Sequence, residues 1–409
     1  MRKLLLDRMV RTIVRHGSLD VTYWDDTTKR YGDGTGTLLR IGFPRSAAIP
    51  HIITNPELGI PEAYTDGDMT IENDDLRGFI SLVLVNLLAG NKTRWQRVLA
   101  LIRVALRTVR QWNPVRRARK NVAHHYDLSG ALYDLFLDKD KQYSCAYFLN
   151  PDDTLEQAQA QKKAHIAAKL LLQPDMRVLD IGCGWGGMAI TLARDHGCRV
   201  VGVTLSAEQH KVATERVAAA GLSDRIEIRL TDYREVTEQF DRIVSVGMFE
   251  HVGTPHYREY FGHVRDMLTE DGVALIHTVG RQLPPGYTHP WIRKYIFPGG
   301  YIPAMSEAVA AVEKEGLWTT DVEVWRLHYA RTLSHWDARF RANRDRVLQL
   351  FDERFYRMWR FYLVSAEMTF RHSKQCVFQF QLARKQDAVP LTRDYLYAPH
   401  DRQLNRAAE

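Results

Sequence analysis

The stretch Val178-Leu179-Asp180-Ile181-Gly182-Cys183-Gly184-Trp185-Gly186-Gly187 decides the fold. Its apolar positions Val178, Leu179 and Ile181 run into a glycine cluster, the pattern of a buried parallel strand that breaks into a tight turn and opens a helix. Glycine is needed where the backbone takes unusual angles and where a side chain would hold a ligand off the main chain. An α/β sheet holds a nucleotide-like ligand at such a turn, and Asp180, near the strand's end, can reach its polar groups.

Gly182, Gly184 and Gly187 also satisfy G-x-G-x-x-G, so a dinucleotide site competes with an S-adenosylmethionine site. The next strand, Arg199 to Thr204, continues into Leu205 and Ser206 without a carboxylate before Glu208. A dinucleotide fold wants an acid there for the ribose hydroxyls, which weighs against nicotinamide. Further along, Ser206 caps a helix through Ala220, Arg225 to Leu230 alternates as a strand, Phe240 to Gly247 is a fourth strand and Gly272 to Val279 a fifth. Strands alternating with helices imply a parallel sheet with ligands at its carboxyl edge. Asp232, at that edge, is a candidate for an adenine amine or a helix cap. Glu250 and His277 follow or lie in adjacent strands and could share one pocket with Cys145. A carboxylate and an imidazole there suit proton transfer or anion positioning, against a satisfied Glu and a core His. Cys145 itself reads as a nucleophile, a small core residue or part of a lip over the ligand.

The remaining chain sets bounds. With 409 residues, 45% hydrophobic and 26% charged, it is expected to fold into about two domains. Cys145, Cys183, Cys198 and Cys376 lack C-x-x-C spacing, so no zinc site or disulfide framework is indicated and a reducing cytoplasm fits. The N-terminus shows no export signal, and no apolar run approaches a membrane span. A net charge of +7 favours an anionic partner. That charge concentrates from Lys92 to Lys120, which contains no Asp or Glu while Arg94, Arg97, Arg103, Arg107, Arg110, Arg116, Arg117 and Arg119 recur around Trp95, Val98, Ile102, Leu106, Val109 and Trp112. A basic helix with tryptophan on its apolar face suits an anionic lipid surface; a solvated linker helix ended by Pro114 is the alternative. The first 90 residues read as a small α+β module, with strands in Leu19 to Trp24 and Gly36 to Phe43 interrupted by DDTTKRYGDG, and a buried or interfacial helix in Phe79 to Leu88. From His124 to Asn150 aromatics are dense. Leu155 to Leu172 is an amphipathic helix, Arg339 to Tyr362 is helical, and Gln375 to Ala383 is a final strand. The Pro- and aromatic-rich region after Gly280 suits a cap, with Arg293 and Lys294 near a lipid phosphate or simply solvated.

In this order VLDIGCGWGG, YSCAYF, VTLSAEQ, MFEHVG and LIHTVG resemble the cyclopropane-fatty-acyl-phospholipid synthases and the related mycolic acid cyclopropane synthases, over roughly Arg119 to Arg384. The resemblance implies a Rossmann-like class I methyltransferase fold, α/β with a seven-stranded, mostly parallel sheet. With the readings above, the chain divides into a small N-terminal α+β domain (1–91), a basic amphipathic linker helix (92–120), a catalytic domain (121–390) with a cap at about 281–320, and a tail (391–409). S-adenosylmethionine would be the co-substrate, bound by Tyr143, Ser144, Asp180, Gly182, Gly184, Trp185, Gly186, Thr204, Gln209 and Asp232. Bicarbonate would be held by Cys145, Glu250, His277 and Tyr329, making Cys145 an anion ligand; no metal is implied. Trp185 and Tyr301 would wall an acyl tunnel. Glu367 matches a family Glu, but Ser365 and Ala366 stand where a cysteine is often found, which argues against a nucleophilic cysteine in that segment. The implied reaction moves a methylene to the cis double bond of unsaturated phospholipid acyl chains. It passes through a carbocation that bicarbonate deprotonates, and the site is the inner face of the cell membrane, in a homodimer, without nucleic acid. The same cation can instead yield a methylene, a rearranged alkene or a methyl-branch precursor.

Overall fold

The computed structural model describes residues 1–112 and 130–397; Pro114, Arg116, Arg117, Arg119, Lys120, His124 and the chain from 398 lie outside the described residues. Contacts divide it into two compact units: 1–107, 286–298 and 329–375 in the first, and 108–285, 299–328 and the chain from 376 in the second. The segments 286–298 and 329–375, expected within a catalytic domain, join the first unit through packing. Helices Pro290–Tyr295 and Glu353–His372 lie against helices Pro56–Asp66 and Leu76–Leu88. Phe361 links them, 4.9 Å from the Trp291 ring and 5.8 Å from Tyr64.

The first unit carries a sheet of β1 (Ser18–Thr22), β2 (Thr28–Gly32), β3 (Leu38–Gly42) and β4 (Thr70–Ile71) in the order β2-β1-β3-β4. The polar run DDTTKRYGDG, read as a break, contains β2, paired antiparallel to β1. It is a half-solvated edge strand whose one inward anchor is Tyr31, with its hydroxyl on Asp7 at 2.7 Å. The expected single helical run from Arg339 is three helices: His328–Ala342, Arg344–Leu350 and Glu353–His372. Asp352 restarts the last by accepting from the Phe355 N–H at 2.7 Å. Arg77 joins the carboxylates of Asp337 (2.8 Å) and Glu367 (2.9 Å), so Glu367 is a buried structural acid here.

The second unit is built on β5 (Arg177–Ile181), β6 (Arg199–Thr204), β7 (Ile226–Leu230), β8 (Phe240–Val246), β9 (Leu268–Arg281), β10 (Trp318–Trp325) and β11 (Gln375–Ala383), in the order β10-β11-β9-β8-β5-β6-β7. β5 to β9 are parallel, and β10 runs antiparallel to β11. This matches the seven-stranded, mostly parallel sheet expected from the sequence. Both faces are covered, which explains the continuous apolar runs. Leu179, Ile243 and Ile276 pack on Phe249, Tyr260 and Phe261, while Val178, Val244 and Leu275 pack on Ile166, Leu192 and Val217. Because β8 and β6 flank β5 on opposite sides, the strand order reverses there and opens a crevice at the carboxyl ends. Among the described residues no helix is long and apolar enough to cross a membrane.

Candidate active site

After β5 the chain turns through Gly182 (φ +80°) and Gly184 (φ +55°), angles that side-chain-bearing residues rarely adopt. The helix Gly187–His196 starts immediately beyond. A cleft lies at this turn, lined by Tyr143, Ser144, Asp180, Gly182, Gly184, Trp185, Thr204, Gln209 and Asp232, all drawn from the sequence. Gly186 is not among the lining residues. It caps the helix in a left-handed conformation and faces Ala213, and Gly187 lines the cleft beside it. Trp185 is buried with its ring 4.9 Å from Tyr133. The Thr204 hydroxyl donates to Gln209 Oε1 at 2.9 Å, tying the end of β6 to the helix Ala207–Ala219. Asp232 both lines the cleft and caps: its carboxylate accepts from the Arg234 N–H and from Arg234 Nε and Nη2, the latter two at 2.8 Å. Asp180 is 2% exposed, and its Oδ2 has no hydrogen-bond partner among the described residues. Burial pushes its carboxyl up to about 7 against the pull of nearby Lys162.

Cys145, Glu250 and His277 do not line this cleft. Glu250 Oε1 accepts from the Val279 N–H on β9 at 2.6 Å, and burial pushes the carboxyl up to about 7. His277 lies two residues before Val279. The Gln379 amide nitrogen can only donate, so at 3.1 Å it fixes His277 Nδ1 as acceptor and leaves the ring proton on Nε2. Burial foremost, then the charges of Lys162 and Lys169, hold this imidazole neutral. Cys145 is buried, its Sγ 3.4 Å from the Ala146 carbonyl. Tyr329 belongs to the first unit, with its ring against Trp336 and Phe370. Tyr301 is buried and donates its hydroxyl to Glu307 at 2.8 Å.

Two surface expectations change. Arg103, read as a lipid-facing cation, is 8% exposed and pairs with Glu57 and Asn55. The helix Arg94–Ala105 nonetheless leaves Trp95, Val98, Leu101 and Ile102 exposed. Lys294, placed near a lipid phosphate, is engaged by Glu62 at 2.7 Å.

The family model for mycolic acid cyclopropane synthetase matches residues 114–380, and a domain model of unknown function matches 6–86. This chain belongs to the mycolic acid cyclopropane synthetase family. The "Probable fatty acid methyltransferase" of Pseudomonas putida is 42% identical over 257 residues, 61% of this chain and 65% of that protein, just under two thirds of its length. The cyclopropane-fatty-acyl-phospholipid synthase of Escherichia coli K12 is 40% identical over 324 residues, covering 78% of this chain and 81% of that one. The tuberculostearic acid methyltransferase UfaA1 of Mycobacterium tuberculosis is 35% identical over 397 residues, 93% and 91%. Among solved structures, the mycolic acid cyclopropane synthase CmaA1 complexed with SAH and CTAB has a TM-score of 0.63 and 34% identity over 66% of this chain and 99% of that one. This cyclopropane synthetase family member is therefore an S-adenosylmethionine-dependent methyltransferase, with S-adenosylmethionine as co-substrate.

Several residues at the family cleft escaped sequence reading. Gln142, Met248 and His251 line it, and Lys162 and Gln159 stand behind Gln142 and Ser144. A signal for the last two was present: in helix Leu155–Lys169, Gln159, Lys162, Ile166 and Lys169 recur on the buried face. Polar residues at an apolar period mark a buried network.

Proposed function

We propose that this protein adds a methylene from S-adenosylmethionine to the cis double bond of unsaturated phospholipid acyl chains, closing a cyclopropane ring. The observation that carries the reading is a buried carboxylate and a neutral imidazole tied to one strand: Glu250 is bonded at Val279, and His277 stands two residues away on β9. An alkene is a weak nucleophile, so the sulfonium methyl must be held in line with water excluded. Aromatic faces stabilise the resulting carbocation, and Trp185 at the cleft offers one. A proton must then leave the new methyl group. His277 Nε2–H would donate to a bound oxyanion, and Glu250, poised near neutrality, would take up the proton that the oxyanion removes from the methyl group. This donor and acceptor pair fits bicarbonate, which when bound would supply the base, with Cys145 as a further ligand that the family resemblance implies.

A second reading, methylation without ring closure, is favoured by the 93% coverage with a tuberculostearic acid methyltransferase. The bilayer is the proposed surface partner, reached through Trp95, Val98 and Leu101, and the family's homodimer is the proposed assembly. The test is incubation with vesicles of unsaturated phospholipid and S-adenosylmethionine, followed by mass spectrometry of the lipids. Acyl chains that gain one carbon and become inert to ozone support the reading, one added carbon with the double bond retained supports the second, and unchanged lipids with soluble acceptors methylated instead would overturn both.

A further inference from the structure

Behind the cleft, the side chain of Lys162 is fully buried in helix Leu155–Lys169. Its ammonium donates to Gln142 Oε1 at 2.6 Å and to Ser144 Oγ at 2.8 Å, both on the segment that lines the cleft. Gln159, one turn earlier, holds the same segment by its main chain, donating to the carbonyls of Gln142 (3.2 Å) and Ser144 (3.0 Å). Asp140 completes the brace through Lys163 and Arg216, and a Cβ on Gly187 would collide with Asp140 and Gln142. A fully buried ammonium is costly even with the charges of Asp138 and Asp140 favouring it, so its presence calls for a function beyond packing.

The polarity of these bonds is the informative part. An ammonium has three donors and no acceptor, so Ser144 Oγ must accept from Lys162, which frees the Ser144 hydroxyl proton to point elsewhere. The same bond fixes the Gln142 amide with its oxygen inward, and its nitrogen donates to Asp140 at 3.0 Å. Ser144 therefore faces the cleft as a donor, suited to a ligand carboxylate. Asp180, with an unpartnered buried oxygen, faces it as an acceptor, suited to a ligand ammonium.

We infer that Lys162 is a positioning residue that sets the hydrogen-bond direction of Ser144 and Gln142, so that this end of the cleft recognises the amino-acid moiety of the co-substrate. The inference rests on the reading of the cleft as the S-adenosylmethionine site. It is tested by calorimetric binding of S-adenosylhomocysteine and of 5′-methylthioadenosine, which lacks the amino-acid part, to the full chain and to Lys162→Met and Ser144→Ala. Lys162→Met should weaken S-adenosylhomocysteine about 10- to 100-fold and 5′-methylthioadenosine less than about twofold, since loss of a charge-assisted bond network is felt only by the ligand it serves. Ser144→Ala should reproduce that split, and the double variant should be no worse than either single one. Equal losses for both nucleosides, or none, would overturn the role of Lys162. Should Lys162→Met not fold, the polar variant Lys162→Gln carries the decision: the split supports the inference and its absence overturns it. Failure of the unsubstituted chain to bind either nucleoside would overturn the reading of the cleft itself.

Discussion

At the scale of single residues, the proposed chemistry rests on two buried carboxyls. Glu250→Gln keeps the shape and the acceptor for the Val279 N–H but removes the exchangeable charge. Turnover should fall about 100-fold or more while S-adenosylmethionine affinity stays within about twofold, as expected for a group used in proton transfer. Unchanged turnover in a steady-state assay would remove Glu250 from the mechanism. Asp180 gives a pH signature. Its carboxyl is raised to about 7 in the fold, so in the ligand-free protein it contributes stability that is fully present below its unfolded value and is lost as pH rises through the folded value. A cationic co-substrate favours the ionised form. Affinity should thus rise from about pH 6 to about pH 7.5, below the value near 8 to which burial brings Lys162, and Asp180→Asn should flatten that rise. Titration calorimetry across that range decides it.

At the scale of elements, the exposed apolar face of Arg94–Ala105 and its buried cation separate two roles. Replacing Trp95 and Leu101, 50% and 71% exposed, with Ser should weaken sedimentation with anionic vesicles and leave thermal stability nearly unchanged. Arg103→Ala should do the opposite, costing about 1–2 kcal/mol because Glu57, 22% exposed, keeps the Tyr287 hydroxyl at 2.8 Å, measured by denaturant unfolding. The same helix shows what the sequence could and could not reveal. Periodicity located it and its tryptophan, but a partner 46 residues away that draws Arg103 inward leaves no local trace. The α/β repeat and the glycine turn were legible because burial on both faces and positive φ constrain residue type directly. β2 was not, because an edge strand half in water tolerates Lys, Arg and Thr. Lys162 was hidden for a related reason: a lysine is read as solvated unless its spacing is set against the helix's buried face.

At the scale of the whole molecule, the first unit is assembled from three separated chain segments, so its stability depends on contacts of long sequence range. Arg77→Met removes the cation that Asp337 and Glu367 share, leaving Asp337 with Arg341 at 3.2 Å and Glu367 with Arg371 at 2.9 Å, and should destabilise by about 1–3 kcal/mol, read from the unfolding midpoint. The second unit answers to ligand instead: saturating S-adenosylhomocysteine at about 100 times Kd should add about 2.7 kcal/mol. The central claim, ring closure on an acyl chain, is tested most directly with S-adenosylmethionine carrying a fully deuterated methyl group, vesicles of unsaturated phospholipid, and mass spectrometry with ozonolysis of the products. The account predicts an added carbon that retains two deuteriums on a chain inert to ozone, since ring closure expels one deuteron from the methyl. Retention of all three deuteriums with an ozone-sensitive double bond would contradict it and place the proton loss on a neighbouring carbon.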